Sequence, residues 1–177
     1  LNTVIDAIDK VRDTSTSHER VSILEVMGRD CGDLALYAGI AGGAEYIITP
    51  EKGFSRDELC KVILEGKQNG KVHNLILLAE GVGGAQELAE YVENVTGIET
   101  RATVLGHIQR GGSPTATDRI LASRMGAKAV EVLLEGKTSR VIGIRDNKII
   151  DEDIDEALAL ERKFDDELFD LSEAISS

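Results

Sequence analysis

Cationic side chains concentrate on one glycine-rich stretch of the sequence. His107 and Arg110 follow the β-favouring run 103–105 on a loop that glycines border, and Arg101 stands just before that run. Arginine offers a planar fork of donors that matches a phosphate, and histidine adds a further donor. Taken singly, an arginine or a histidine on a loop is more often solvated surface. Because the formal net charge of the chain is -12, the whole cluster predicts an anionic ligand, with each charge-assisted hydrogen bond contributing about 1.5–3 kcal/mol.

Polar residues also follow two earlier predicted strands. The run 21–26 leads into the segment 27–29, Met-Gly-Arg, a turn that opens a helix. The backbone N–H groups and the helix dipole of such a turn favour an anion. The run 74–79 ends at Glu80, which either accepts hydrogen bonds from sugar hydroxyls or is a solvated acid at a strand end. Ligands of open parallel sheets collect at the carboxyl ends of the strands, so these segments are candidates for the same site.

Arg101 and His107 lie at opposite ends of one predicted strand. Six residues at strand rise separate them by about 20 Å. The two side chains of one subunit therefore cannot bind the same phosphate. If both bind ligand, Arg101 requires a second chain.

The elements that position these residues alternate between β-favouring runs and helical patterns from residue 21 to residue 105. This alternation predicts an α/β fold, a parallel β-sheet flanked by helices. A hairpin around 146–147 lies outside the series and is assigned to a different layer or domain. The predicted strands are 21–26, 46–49, 74–79, 102–105, 141–144 and 148–150, and the predicted helices are 1–11, 31–42, 56–68, 85–96, 115–134, 154–160 and 167–175.

Composition restricts the class of protein. The chain has 177 residues, of which 42% are hydrophobic, enough for one soluble globular core. The negative charge disfavours nucleic acid and anionic membranes as partners. Cys31 and Cys60 lack metal-ligand spacing and fit reduced thiols, and no signal-peptide pattern or long apolar run is present, so we expect a cytoplasmic protein. The helical apolar stripe beginning at Leu1 predicts a chain cut from something longer.

The segment 106–112, Gly-His-Ile-Gln-Arg-Gly-Gly, resembles the sugar-phosphate motif of bacterial ATP-dependent 6-phosphofructokinases. The segments 14–20, 25–29 and 118–123 also resemble that family. The resemblance implies that Arg29 helps to stabilise charge on the transferring phosphoryl group. It implies a homotetramer in which Arg20 and Arg101 reach a neighbour's substrate. The residues implied to bind fructose 6-phosphate within the subunit are Met27, Gly28, Arg29, Glu80, His107, Ile108, Gln109 and Arg110.

The resemblance also implies an effector site for ADP or phosphoenolpyruvate at a subunit contact. Glu45 would face an effector-bound Mg2+ ion. Asn69 and Val72 stand where several relatives carry basic residues, so the implied site has two cationic donors fewer, and the strength of effector control is left open. Taken alone, Lys71 and His73 fit surface positions. The implied effector residues are Arg12, Gly43, Ala44, Glu45, Asn69, Lys71, Val72 and His73.

The resemblance covers the C-terminal portion of a phosphofructokinase subunit. It implies a fructose 6-phosphate and effector domain formed by 1–108 and 160–177, and a segment, 109–159, that packs on an absent ATP-binding domain. The sequence has neither the family's Gly-Gly-Asp-Gly-Ser nucleotide loop nor its Thr-Ile-Asp-Asn-Asp catalytic segment. Because phosphoryl transfer from ATP needs a nucleotide cradle, Mg2+ and a base, we expect the chain alone to be inactive. A portion of a pyrophosphate-dependent relative and a non-catalytic sugar-phosphate-binding module remain alternatives.

Overall fold

The computed structural model describes residues 1–15, 19–71 and 73–176. The chain divides into two compact units, one formed by Leu1–Gly111 with Phe164–Ser177 and the other by Gly112–Lys163. In chain order the elements are α1 Asn2–Ser15, β1 Val21–Val26, α2 Asp33–Gly42, β2 Tyr46–Ile48, α3 Arg56–Gln68, β3 Asn74–Ala79, α4 Ala85–Thr96, β4 Thr100–Val104, a 3₁₀ helix Gly106–Arg110, α5 Ala116–Leu134, β5 Arg140–Arg145, β6 Lys148–Asp153, α6 Ile154–Leu158 and α7 Asp166–Ser176.

The first unit contains a four-stranded parallel sheet with the strand order β2-β3-β1-β4. The register pairs Val26 with Ala79 and Glu25 with Val104, so the carboxyl ends of the three strands β1, β3 and β4 meet at one level. The predicted α/β fold with a helix-flanked parallel sheet is confirmed. We call this side of the sheet its carboxyl end and the other side its amino end.

Strand β3 shows why the sheet is covered on both faces. All six of its residues are buried, and they alternate between two apolar layers. Leu75 and Leu77 pack in the layer that contains α1, α2 and α7, and Ile76 and Leu78 pack in the layer of α3 and α4. A fully apolar strand of this kind is typical of a parallel sheet between helices.

Two predicted boundaries differ from the structure for local reasons. Helix α2 begins at Asp33 rather than at residue 31, because the residues before it form a closed turn in which the Cys31 N–H donates to the Gly28 carbonyl at 3.0 Å. Strand β4 begins at Thr100 rather than at residue 102, because its pairing with β1 starts at Val21. Pairing with a neighbour therefore extends a strand through polar residues.

Two helices begin with side-chain caps. The Ser-x-x-Glu pattern 55–58 predicts a reciprocal cap at α3, where the Ser55 hydroxyl accepts the Glu58 N–H at 3.3 Å, but a return bond from the Glu58 side chain is not among the bonds of these described residues. A complete capping box occurs instead at α5, where the Thr115 N–H donates to Asp118 at 2.7 Å and the Asp118 N–H donates to the Thr115 hydroxyl at 3.2 Å. The sequence analysis missed that Thr-x-x-Asp box.

The second unit consists of α5, the β5–β6 hairpin and α6. The predicted hairpin is confirmed, and its turn residues Asp146 and Asn147 have φ values of 50° and 59°, the left-handed pair that a tight two-residue turn requires. Its strands are longer than predicted. Arg140 donates to Asp151 at 3.0 Å across the hairpin. Among the described residues, no helix combines the length and the apolar character needed to cross a membrane.

Candidate anion site at the carboxyl end of the sheet

Three loops of the first unit meet at the carboxyl end of the sheet. They are the turn 27–32 after β1, the segment 80–84 after β3, and the 3₁₀ helix after β4. Backbone bonds join the strand ends directly, because the Glu80 N–H donates to the Val26 carbonyl at 2.9 Å and the Leu105 N–H donates to the Glu25 carbonyl at 3.1 Å. The three segments expected to share a site are therefore neighbours.

Glu80 holds the turn after β1. Its Oε1 accepts the Arg29 N–H at 2.5 Å and the Gly28 N–H at 3.2 Å. Arg29 adopts a φ of 54°, in the left-handed region that is unfavourable for a residue with a Cβ atom. The N–H groups expected to favour an outside anion thus bind the carboxylate of the same chain, and the Arg29 side chain is the donor that this turn offers to a ligand.

The pKa of Glu80 lies below its ordinary value. The main cause is the hydrogen bond from the Arg29 N–H, followed by that from the Gly28 N–H, and burial acts in the opposite direction. The positive charges of Arg29 and Arg110 lower the pKa further. Both positive charges therefore favour the ionised form of Glu80.

The 3₁₀ helix places the side chains of the segment 106–110 on different faces. Three residues per turn place His107 and Arg110 on the same face, and both side chains are exposed. Gln109 is half-buried, and its Oε1 accepts the Met27 N–H at 2.7 Å. Ile108 is 69% exposed. The motif therefore presents two donors outward and anchors itself through Gln109.

Backbone packing leaves no room for side chains at two glycines of the site. A Cβ atom added at Gly28 would lie 2.2 Å from the Cys31 carbonyl oxygen. One added at Gly81 would lie 2.2 Å from the Arg29 carbonyl oxygen and 2.8 Å from Pro50 Cγ. Gly81, in the segment after β3, therefore packs against both the Arg29 turn and the loop after β2.

Sequence reasoning missed two carboxylates that support these loops. Glu51 Oε1 accepts the Gly32 N–H at 2.9 Å, and Glu25 Oε2 accepts the Ala85 N–H at 3.3 Å. Each acid caps the start of a helix that begins next to the site, since Gly32 precedes α2 and Ala85 opens α4. Glu51 could have been found as an acid just after a predicted strand, whereas no sequence pattern links Glu25 to a helix 60 residues later.

Arg20 and Arg101 lie at the amino end of the sheet, away from the donors described above. The Arg20 carbonyl accepts the Asn74 N–H at 3.3 Å just before β1, and Arg101 forms an ion pair with Glu99 at 2.8 Å. Arg20 and Lys71 line a cleft of about 260 Å³. The expected separation agrees with the structure, in which Arg101 is the second residue of β4 and His107 lies in the 3₁₀ helix after the end of that strand.

Several residues implied at the effector site bind their own chain. Arg12 Nη2 donates to the Gly43 carbonyl at 2.7 Å, and Glu45 Oε2 accepts the Leu75 N–H at 2.6 Å. Lys71 Nζ lies 3.4 Å from the Ser176 carbonyl. The other implied residues are Ala44, which is buried, Asn69, which ends α3, His73, which is half-buried, and Val72, which lies outside the described residues.

Glu45 is the one acid among these implied effector positions. No group of three or more His, Cys, Asp or Glu side chains within 1–15, 19–71 and 73–176 is arranged to hold a metal ion. One carboxylate oxygen of Glu45, Oε2, already accepts the Leu75 N–H of β3. The role of Glu45 toward an effector-bound Mg2+ ion stays a prediction.

Fold and site together define a class of protein, an α/β domain whose parallel sheet presents guanidinium donors at its carboxyl end. Residues 1–133 match the family described as Phosphofructokinase. Since this match covers more than half of the sequence, the chain belongs to the phosphofructokinase family.

Individual relatives agree with this assignment. The chain is 71% identical over 177 residues to an ATP-dependent 6-phosphofructokinase of Clostridium botulinum and 73% identical over 176 residues to that of Clostridium acetobutylicum, in each case over 99% of this chain and 55% of the relative. It spans about half the length of the curated relatives it matches. These relatives are phosphotransferases by name.

Solved structures show the same fold. The phosphofructokinase from Saccharomyces cerevisiae superposes with a TM-score of 0.81 at 35% identity, over 98% of this chain and 24% of that one. A pyrophosphate-dependent phosphofructokinase from Marinobacter aquaeolei superposes with a TM-score of 0.77 at 26% identity, over 92% and 46% of the two chains. The fold is therefore shared by relatives named for different phosphoryl donors.

Proposed function

We propose that the chain forms the sugar-phosphate side of the active site of an ATP-dependent 6-phosphofructokinase, an enzyme of glycolysis. In that reaction the C1 hydroxyl of fructose 6-phosphate attacks the γ-phosphorus of ATP, the bond to ADP breaks, and fructose 1,6-bisphosphate forms. The observation that carries the proposal is the exposed pair His107 and Arg110 on one face of the 3₁₀ helix, next to the Glu80-held Arg29 turn.

Each side chain of this site has a distinct proposed role. Arg110 and His107 bind the 6-phosphate, because both present N–H donors to solvent. Glu80 uses Oε1 for the two backbone bonds, so its second oxygen can accept from a sugar hydroxyl. Arg29 lies at the charged end of the site and stabilises the phosphoryl group during transfer.

The nucleotide-binding residues and the catalytic base belong, in this proposal, to the part of the relatives that the chain does not match. Mg2+-bound ATP supplies the phosphoryl group, and a catalytic base must take the proton of the C1 hydroxyl. The corresponding nucleotide and aspartate motifs do not occur in this sequence. We therefore assign both to the part of the relatives that the chain does not match, and we assign 109–159 to contact with that ATP-binding part.

The proposal extends to the assembly and the regulation of the enzyme. Arg20 and Arg101 at the amino end serve the substrate of a neighbouring subunit in a cytoplasmic homotetramer, because they cannot reach the carboxyl end of their own sheet. ADP or phosphoenolpyruvate would bind near Arg12, Lys71 and His73. Because Arg12 donates to the Gly43 carbonyl, the position of the Arg12 side chain in that site depends on the turn 43–45.

The test is fructose 6-phosphate binding by the purified chain, measured by calorimetry. We expect Arg110→Ala to weaken binding about tenfold or more, since it removes a charge-assisted bond. Arg56→Ala, which removes an exposed arginine on α3, is the matched control and should bind as the unaltered chain does. Equal affinity in Arg110→Ala contradicts the site assignment.

A turnover assay separates the functional alternatives. We expect no ATP-dependent phosphorylation by the chain alone, and robust turnover would contradict the absence of the catalytic half. A chain joined to the unmatched part of the Clostridium acetobutylicum relative should use ATP. Binding of fructose 6-phosphate without turnover in the joined chain would favour the non-catalytic module.

A further inference from the structure

Gln109 lies on a different face of the 3₁₀ helix from the exposed donors His107 and Arg110. Three residues per turn align His107 with Arg110, and Gln109 is offset from both. The side chain of Gln109 is half-buried, whereas His107, Ile108 and Arg110 are exposed. Gln109 is therefore directed toward the neighbouring turn of its own chain.

The partner of Gln109 is a backbone group at the end of β1. The Met27 N–H lies 2.7 Å from Oε1. Because a backbone N–H can only donate, the amide must present its oxygen to Met27, and this fixes the orientation of the side chain. Met27 follows the last residue of β1, so its N–H lies just beyond the ladder that β1 forms with β3 and β4.

The bond completes a set of three. The successive N–H groups of Met27, Gly28 and Arg29 donate to side chains from two other loops, the first to Gln109 and the next two to Glu80. Arg29 is held at a φ of 54° within this set. A left-handed conformation at a residue with a Cβ atom persists only where its surroundings determine it. Gln109 provides the contact between the Arg29 turn and the 3₁₀ helix.

We propose that Gln109 is a positioning residue that holds the Arg29 turn against the 3₁₀ helix, so that Arg29 and Arg110 face the same sugar phosphate. The inference rests on the proposed function, because it concerns the alignment of donors for fructose 6-phosphate. It changes the role that the resemblance implied for Gln109. Its Oε1 atom binds Met27 rather than the substrate.

The experiment follows backbone amide signals of the 15N-labelled chain by NMR, with and without fructose 6-phosphate. Gln109→Met keeps the length of the side chain but removes the acceptor oxygen. Gln109→Glu keeps an acceptor for Met27. Val95→Ala, which shortens an exposed apolar side chain on α4 outside the site, serves as the control. Met27 amide exchange reports the bond, and the Arg29 amide signal reports whether the turn responds to ligand.

We expect Gln109→Met to speed Met27 exchange about tenfold and to raise the dissociation constant for fructose 6-phosphate about three- to tenfold. The Arg29 signal should no longer shift with ligand in that variant. Gln109→Glu should keep Met27 exchange slow, which a role in bulk packing alone would not predict. Val95→Ala should match the unaltered chain in all three measurements.

The inference is overturned if Gln109→Met exchanges and binds like the unaltered chain, or if it exchanges faster but Arg29 still responds with unchanged affinity. Failure of the unaltered chain to respond to fructose 6-phosphate contradicts the proposed function instead. In that case Met27 exchange and the Arg29 signal, compared between the unaltered chain and Gln109→Met, still decide the positioning role. Should Gln109→Met not fold, fast Met27 exchange in Gln109→Glu is the contradicting result.

Discussion

Gly81→Ala tests how tightly the loops of the site are packed. The added Cβ atom would lie 2.2 Å from the Arg29 carbonyl oxygen and 2.8 Å from Pro50 Cγ. An ordinary contact to a carbonyl oxygen is about 3.3 Å or more, so the Arg29 turn or the loop after β3 must move by about 1 Å. Forcing such a shift in a packed region costs about 1–3 kcal/mol.

Gly81→Ala also changes the entropy of the unfolded chain, and this effect raises the free energy of unfolding while the strain lowers it. Replacing glycine by alanine at a compatible position stabilises a protein by about 0.4–1 kcal/mol, because the unfolded chain loses freedom. Gly53→Ala isolates that term, since nothing lies within 4 Å of its added Cβ atom. Because both variants share that term, it cancels, and we expect their free energies of unfolding to differ by about 1–3 kcal/mol, with Gly81→Ala the less stable.

Urea denaturation of the two alanine variants, followed by circular dichroism, measures this difference. The same samples are then titrated with fructose 6-phosphate, because a displaced Arg29 turn should also weaken ligand binding. Equal stability of Gly81→Ala and Gly53→Ala would refute the close contact between the loops. Normal ligand affinity in a destabilised Gly81→Ala would refute the link between that contact and the position of Arg29.

Two further predictions concern pH dependence and the second unit. The folded-state pKa of Glu80 is depressed, so its contribution to stability is present above the unfolded-state pKa and is lost as pH falls through the folded-state value. Glu80→Gln should therefore flatten the acid side of the unfolding free energy measured between pH 7 and pH 3, and an unchanged slope contradicts this. Thr115→Ala should lower the thermal stability of the second unit by about 1 kcal/mol, because it removes the α5 cap, whereas Thr138→Ala should not; equal melting of both variants contradicts the cap.

The alternation of strands and helices could be predicted from the sequence because each element of the first unit has its own local signal. β3 is a run of apolar residues, and α4 stops at Gly97, which has a φ of 69°. The β5–β6 hairpin follows from Asp146-Asn147 in the same way. Ends that depend on a neighbour were less accurate, as at β4, whose start is set by pairing with β1.

The chemistry of the candidate site could be predicted only as far as residue type determines it. Arginine and histidine at a strand end indicate an anion, and the structure places Arg29 and Arg110 near Glu80. Which backbone groups face the ligand depends on contacts between segments about 50 and 80 residues apart, namely Glu80 with Arg29 and Gln109 with Met27. Sequence spacing carries no information on such bonds, so the turn was expected to offer its N–H groups outward.

These internal bonds change how the anion site should be understood. In a helix-start anion site, backbone N–H groups bind the ligand, but here they bind the carboxylate of Glu80, while the fixed positive charge is carried by the Arg29 and Arg110 side chains. A carboxylate so close to an anion site would repel a phosphate if its charge were not balanced. The two guanidinium groups and the two N–H donors provide that balance, and they leave Glu80 ionised as an acceptor for hydroxyl groups. We therefore predict that the site binds a ligand carrying both a phosphate and hydroxyl groups more tightly than a simple phosphate.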